Sequence, residues 1–115
     1  FREYGGTTAV FTKDRHAMYF SKAVIPFRRK AGEGAPAYQH IGLYGYRRET
    51  LEQLVALDPT PFELTESLEQ LRALENGIPI RIVLTDYRGR SAWSVDSPED
   101  AVRVEAIIQR EGELV

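Results

Sequence analysis

The sequence predicts an α/β or α+β domain, and three observations predict it. Short β-branched and aromatic runs alternate loosely with helical stretches. The helical stretches carry readable start and stop signals. A hydrophobic content of 43% with 28% charged residues is that of a soluble globular chain.

The first element is a strand over residues 7–12 (T-T-A-V-F-T), β-branched and aromatic. A turn at Asp14-Arg15-His16 follows. Residues 19–25 are extended, and Pro26 closes them, because the residue before a proline is pushed away from helix. Residues 28–36 hold Arg28-Arg29-Lys30, two Gly and a Pro, and read as a mobile loop. Residues 40–46 mix Gly with aromatics and read as a buried strand.

A helix over 49–57 presents Leu51, Leu54 and Val55 on one face, and Asp58-Pro59 stops it. Thr60-Pro61-Phe62-Glu63 is an unusually complete helix start, with a cap, a first-position proline and the glutamate of a capping box. Leu64, Leu68 and Leu71 then fall on one helical face, and Gly77 ends the helix. Residues 78–85 (I-P-I-R-I-V-L-T) read as a strand with Pro79 near its start. A loop covers 86–90. The last helix spans 97–109, with Ser97 as cap, Pro98 at the first position and Asp100 three after the cap. Val102, Ile107 and Ile108 supply its apolar contacts, and the tail after Arg110 frays.

Composition excludes several functions. A chain of 115 residues is one domain or part of one. A net charge of −2 provides no general attraction for nucleic acid. With no Cys there is neither a disulfide nor a Cys-based zinc site, and the two His make no zinc pattern. No apolar run reaches the roughly 20 residues that span a bilayer. No signal peptide, phosphate-binding P-loop, dinucleotide fingerprint or serine nucleophile elbow is present. These features point to a cytoplasmic protein. The chain begins at Phe1 rather than Met, which reads as a cut or processed start.

The polar residues that packing does not demand lie at four places. Asp96 precedes Ser97-Pro98, and the proline assigns the helix cap to Ser97. The Asp96 carboxylate is then spare beside a helix N-terminus, in the manner of a Mg²⁺ ligand, an ion that takes one or two carboxylates plus substrate oxygens. His40 and Tyr44, four apart on the expected strand, share a face with Gly42 between them. They read first as half-buried core rings and, alternatively, as hydrogen-bond donors flanking a gap for a ligand. Glu69 and Gln70 lie off the leucine stripe, where a solvated face is the ordinary reading and Glu69 can pair with Arg72. Arg28, Arg29 and Lys30 are either a solvated loop or a basic lid for an anion.

Four segments, taken together, resemble the 3-deoxy-manno-octulosonate (KDO) cytidylyltransferases, also called CMP-KDO synthetases. They are Y-F-S-K-A-V-I-P at 19–26, H-I-G-L-Y-G-Y-R at 40–47, L-E-Q-L-R at 68–72 and V-D-S-P-E-D at 95–100. The resemblance runs from about residue 8 to 106. It implies the carboxyl-terminal part of an α/β, Rossmann-like three-layer nucleotide-diphospho-sugar transferase fold, a mixed sheet with helices, treated as one domain or half-domain over 1–115. In this family the anomeric hydroxyl of KDO attacks the α-phosphorus of CTP and pyrophosphate leaves, yielding a CMP-sugar for lipopolysaccharide biosynthesis.

Carried over residue by residue, the resemblance assigns sugar binding to Lys22, His40, Tyr44, Glu69 and Gln70. It assigns Mg²⁺ and a catalytic role to Asp96. Lys22 stands where the family often has Arg. That keeps a cation for the sugar carboxylate and loses a bidentate fork. The family's nucleotide-binding half corresponds to nothing in these residues, so the isolated chain is expected to be inactive. A homodimer is also expected, because few strands leave apolar surface over. Two other readings compete: a non-catalytic oligomerisation or binding module, and a cytidylyltransferase for a related acid or amino sugar.

Overall fold

The β-branched run near the start does form a strand, β1 (Thr8–Phe11), and it lies at the centre of a sheet. Residues 6–86 and 97–112 are described in this computed structural model. The chain divides into two compact units, residues 1–83 and 84–115.

In the first unit β1 pairs on one side with β2 (Ala17–Ser21) and on the other with β3 (Tyr38–Gln39), giving the order β2-β1-β3. Both ladders are antiparallel, with Thr8 opposite Ser21 and Gln39, and Ala9 opposite Phe20 and Tyr38. A mixed sheet was the expectation; among the described residues every ladder is antiparallel. The β1–β2 register slips between Val10 and Phe11, just before a turn closed by Arg15 at φ 66°. The Arg15 N–H donates to the Thr12 carbonyl at 2.9 Å there.

The strand expected over 40–46 is displaced. Tyr38 and Gln39 make the ladder, and the His40 N–H still donates to the Thr7 carbonyl at 2.8 Å. Beyond it the chain leaves the sheet and turns tightly, the Leu43 N–H donating to the Ile41 carbonyl at 2.8 Å. Gly42 and Gly45 make this stretch a poor ladder partner, since glycine orders at an entropic cost and offers no side chain to pack.

The strand expected over 78–85 is realised only in part. Ile80 accepts from the Ala17 N–H at 2.8 Å and Ile82 donates to Arg15 at 2.7 Å, around a single bridge between His16 and Arg81. Pro79 cannot donate, which shortens the run that can pair.

Helix α1 (Arg48–Val55) forms where the leucine spacing places it, but only Leu54 is buried. The next expected helix is two. Helix α2 (Pro61–Glu66) starts at Thr60 with the capping box and the first-position proline. It stops at Ser67, which takes the left-handed conformation at φ 56° and ψ 44°. Helix α3 (Leu71–Glu75) follows, and Gly77 at φ 74° lies beyond its end. A left-handed cap is ordinarily Gly or Asn, so nothing in Glu66-Ser67-Leu68 announces the break. Packing supplies the reason. The turn at Ser67 aims Leu68 and Leu71 at Phe20 and Ala9, while Leu64 is left 68% exposed.

Phe20 (1% exposed) and Leu71 (0%) are the centre of that core. Burying side chains of this size stabilises by about 1.5–3 kcal/mol each. A second cluster of Leu54, Ala73 and Ile78 ties α1 to α3, and Ile80 packs against both clusters.

In the second unit the described residues form α4 (Pro98–Glu111). Ser97 is its cap, the Ser97 hydroxyl oxygen accepting the Asp100 N–H at 3.3 Å. The helix persists past Arg110 to Glu111. Val102 is largely exposed and Ile108 borders on exposure, so the expected apolar contacts of this helix are not burial.

Candidate functional site

Lys22 follows the last residue of β2 in a turn whose backbone is held from two sides. From β1, the buried Thr8 hydroxyl donates to the Ala23 carbonyl at 2.7 Å and accepts the Ile25 N–H at 3.1 Å. The Ser21 hydroxyl oxygen accepts the Ala23 N–H at 3.0 Å. From α2, the Glu66 carboxylate accepts the Lys22 N–H at 3.0 Å. Burial pushes the Glu66 carboxyl up, but hydrogen bonds from Ser21, the Lys22 backbone and Tyr19, with the Lys22 charge, outweigh it and hold it below its ordinary value. The Lys22 side chain itself is exposed.

His40 and Tyr44 do meet, although no strand carries them. Their side chains share a hydrogen bond between Nε2 and the phenol oxygen at 2.6 Å. The His40 ring stands edge-on to Phe20 at 5.3 Å, and Tyr46 stacks on Tyr44 at 6.0 Å. Burial lowers the His40 pKa below 6.5, so the imidazole is neutral at pH 7. Burial, with a smaller contribution from Tyr46, raises that of Tyr44 and keeps it a neutral phenol. Two uncharged polar rings that each donate or accept suit a hydroxyl-bearing ligand.

Glu69 and Gln70 lie in the short link between α2 and α3. Glu69 is exposed. The Gln70 side-chain nitrogen is buried and, among the described residues, has no hydrogen-bond partner. An amide donor buried in that way is costly, and such a group commonly serves a ligand. The expected pairing of Glu69 with Arg72 is corrected. Arg72 instead grips Glu63 with two bonds, Nη2 to Oε2 at 2.6 Å and Nε to Oε1 at 2.9 Å. Glu63 also accepts the Thr60 N–H at 3.1 Å. Arg72 holds the Glu63 carboxyl well below its ordinary value, and Glu63 raises the Arg72 guanidinium in turn.

Phe20 connects part of this set. Its ring touches His40, and Leu68 and Leu71, which bracket Glu69 and Gln70, pack on it. Lys22 is two residues further along the same chain. Of the six residues singled out in the sequence, His40 alone meets the Phe20 ring, and Tyr44 joins it through the His40 hydrogen bond. Asp96 lies outside the described residues. The metal argument keeps one structural support, because α4 is capped by Ser97 and does not call on the residue before it. Among the described residues no three carboxylate or imidazole groups converge for a metal.

In the basic loop the exposed Arg28 guanidinium donates to the carbonyls of Glu33, at 3.0 Å, and Ala35. Sequence reasoning missed Thr8, Glu63, Glu66 and Arg72 as supports of the site. No local signal marks Thr8 or Glu66. The capping box does mark Glu63, but the pattern gives no indication that its carboxylate also serves Arg72.

A sequence model described as Cytidylyltransferase matches residues 6–82. The chain is 84% identical over 110 residues to the 3-deoxy-manno-octulosonate cytidylyltransferase of Maricaulis maris (strain MCS10), covering 96% of this chain and 42% of that protein. The enzyme of the same description from Myxococcus xanthus (strain DK1622) is 46% identical, over 90% of this chain and 41% of its own length. A solved structure of CMP:2-keto-3-deoxy-manno-octonic acid synthetase complexed with CTP superposes with a TM-score of 0.76 at 35% identity. That superposition covers 92% of this chain and 42% of the other. The chain thus spans about two fifths of the length of the curated relatives it matches.

Proposed function

We propose, from the premise that this chain belongs to the cytidylyltransferase family, that it carries the acid-sugar side of a KDO cytidylyltransferase. The whole enzyme would transfer CMP from CTP to KDO, as a cytoplasmic step of lipopolysaccharide biosynthesis. The single observation that carries the reading is 84% identity to such an enzyme across 96% of the chain. The chemistry at Phe20 agrees with it. A polyhydroxylated acid calls for uncharged donors and acceptors for its hydroxyls and one cation for its carboxylate. Neutral His40, neutral Tyr44 and the buried Gln70 amide nitrogen are the first kind, Lys22 is the second, and Glu69 adds an acceptor.

In this reading the chain's own residues bind and orient. Hydroxyls and carboxylate held at several points fix the sugar, so that its anomeric hydroxyl is presented to the α-phosphorus at low entropic cost. Asp96 would hold Mg²⁺, which when bound neutralises phosphate charge. Assembly as a homodimer belongs to the same proposal. Leu43, 87% exposed, and Val83, 79%, expose the kind of side chain a second copy covers. A monomer in sedimentation velocity would remove that part.

The test is a chimera in which these 115 residues replace the matching segment of the Maricaulis maris enzyme. It should release pyrophosphate from CTP only when KDO and Mg²⁺ are present, whereas the 115-residue chain alone should not. An inactive but folded chimera would overturn the reading. In the active chimera, Asp96→Asn should change stability by less than about 1 kcal/mol, since it is not the cap. It should also remove most activity and alter the Mg²⁺ dependence of what remains; an unaltered dependence would end the metal assignment.

A further inference from the structure

Glu66 has no place in the resemblance and none in the sequence pattern, yet it joins helix α2 to the segment that bears Lys22. Its Oε1 accepts the Lys22 N–H at 3.0 Å. The residue just past the end of β2 is thus tied to one side chain of a six-residue helix. One turn earlier on that helix, Glu63 grips Arg72 of α3 at 2.6 Å, beyond the Glu69–Gln70 link. Helix α2 therefore reaches with one carboxylate to each side of the candidate sugar site.

The need for such a brace follows from lysine itself. An ammonium on a flexible four-carbon stem is a point charge with no fork to align it, and ordering it costs rotamer entropy. Its usefulness as a carboxylate ligand then depends on where the backbone starts the stem. Thr8 and Ser21 tie the Ala23–Ile25 side of the turn to the sheet. Only Glu66, among the described residues, bonds the Lys22 N–H itself.

We propose that Glu66 is a positioning residue for the acid sugar: by holding the Lys22 backbone against α2, it sets where the Lys22 ammonium meets the sugar carboxylate. This rests on the reading of Lys22 as a sugar ligand given above. It goes beyond that reading by naming the group that makes a lysine adequate at this position. The brace works through a hydrogen-bond acceptor, so charge at Glu66 is secondary to an oxygen at the right distance.

The active chimera tests it, with KDO and CTP titrated separately. Glu66→Ala should raise the KM for KDO about tenfold, the size expected when one charge-assisted hydrogen bond is lost. The KM for CTP should stay within about twofold, because a brace acting through Lys22 touches only the sugar. Glu66→Gln, whose amide oxygen can still accept the Lys22 N–H, should recover most of the loss. In a Lys22→Ala background, Glu66→Ala should add little, since a residue acting through Lys22 cannot act without it. If Glu66→Ala does not fold, Glu66→Asp takes its place: it keeps the charge, shortens the reach and should raise the same constant. Equal rises for KDO and CTP, or full additivity with Lys22→Ala, would overturn the proposal while leaving the function intact. Tighter KDO binding by Glu66→Gln would overturn it too, and would make Glu66 a competitor for the lysine charge. An inactive parent chimera would instead refute the functional reading on which it rests.

Discussion

The two sides of the candidate site are held by different physics. The Lys22 turn is fixed by directed bonds: Thr8, Ser21 and Glu66 each meet a named backbone group within 3.1 Å. The His40–Tyr44 stretch is fixed by rings. His40 leans on Phe20, Tyr44 bonds His40 and Tyr46 stacks on Tyr44, while the backbone between them runs through two glycines. Directed bonds constrain the backbone and leave the Lys22 side chain free to reach. Ring packing constrains the side chains and leaves the backbone to follow. A cation that must swing onto a carboxylate suits the first arrangement, and neutral donors that must stay in place suit the second.

The largest expected break is on the ring side. Phe20→Ala empties the core against which His40 rests and should cost about 3–5 kcal/mol. Thermal unfolding of the chimera would measure it, and KDO binding should fall with it. Next comes Arg72→Ala, which leaves the buried Glu63 without its partner and should cost about 3 kcal/mol, the lower range for breaking such a pair. A loss below about 1 kcal/mol, the value of an exposed ion pair, would show that solvent already screens it.

Acid should separate the two sides. His40 is held below its ordinary 6.5, so as pH falls through that value the unfolded chain takes up protons that the folded one refuses, and stability declines. Glu63 and Glu66 are held below 4.5, so their contribution is complete above that value and is lost only as pH falls past it. Between pH 6.5 and 4.5 the ring side alone should weaken. Unfolding temperature against pH, compared with His40→Asn, checks this: the variant should lose the slope in that window and keep the one below it. The smallest expected change in stability is at Lys22→Ala, within about 0.5 kcal/mol for an exposed side chain. Its KM for KDO should nevertheless rise, and a fall in stability comparable to that of Arg72→Ala would mean that the lysine is structural.

Local chemistry in the sequence was enough for the elements whose cause is local. The strand at β1, the capping box at Thr60 and Glu63, the Ser97-Pro98 start of α4 and the glycine beyond α3 all depend on residues within one turn of each other. The resemblance carried by the 19–26, 40–47 and 68–72 segments picked out His40 and Tyr44, which the structure joins by a hydrogen bond beside Phe20. Only the tertiary structure decided the rest. The left-handed break at Ser67 exists because Leu68 and Leu71 are buried against Phe20, a strand residue far away in the chain. Arg72 chooses Glu63 over its neighbour Glu69 because that break folds α3 back toward α2. Glu66 meets the Lys22 N–H across 44 residues. Caps and turns are decided by neighbours in sequence. Which carboxylate meets which donor across the fold is decided by where the core forces the helices to lie.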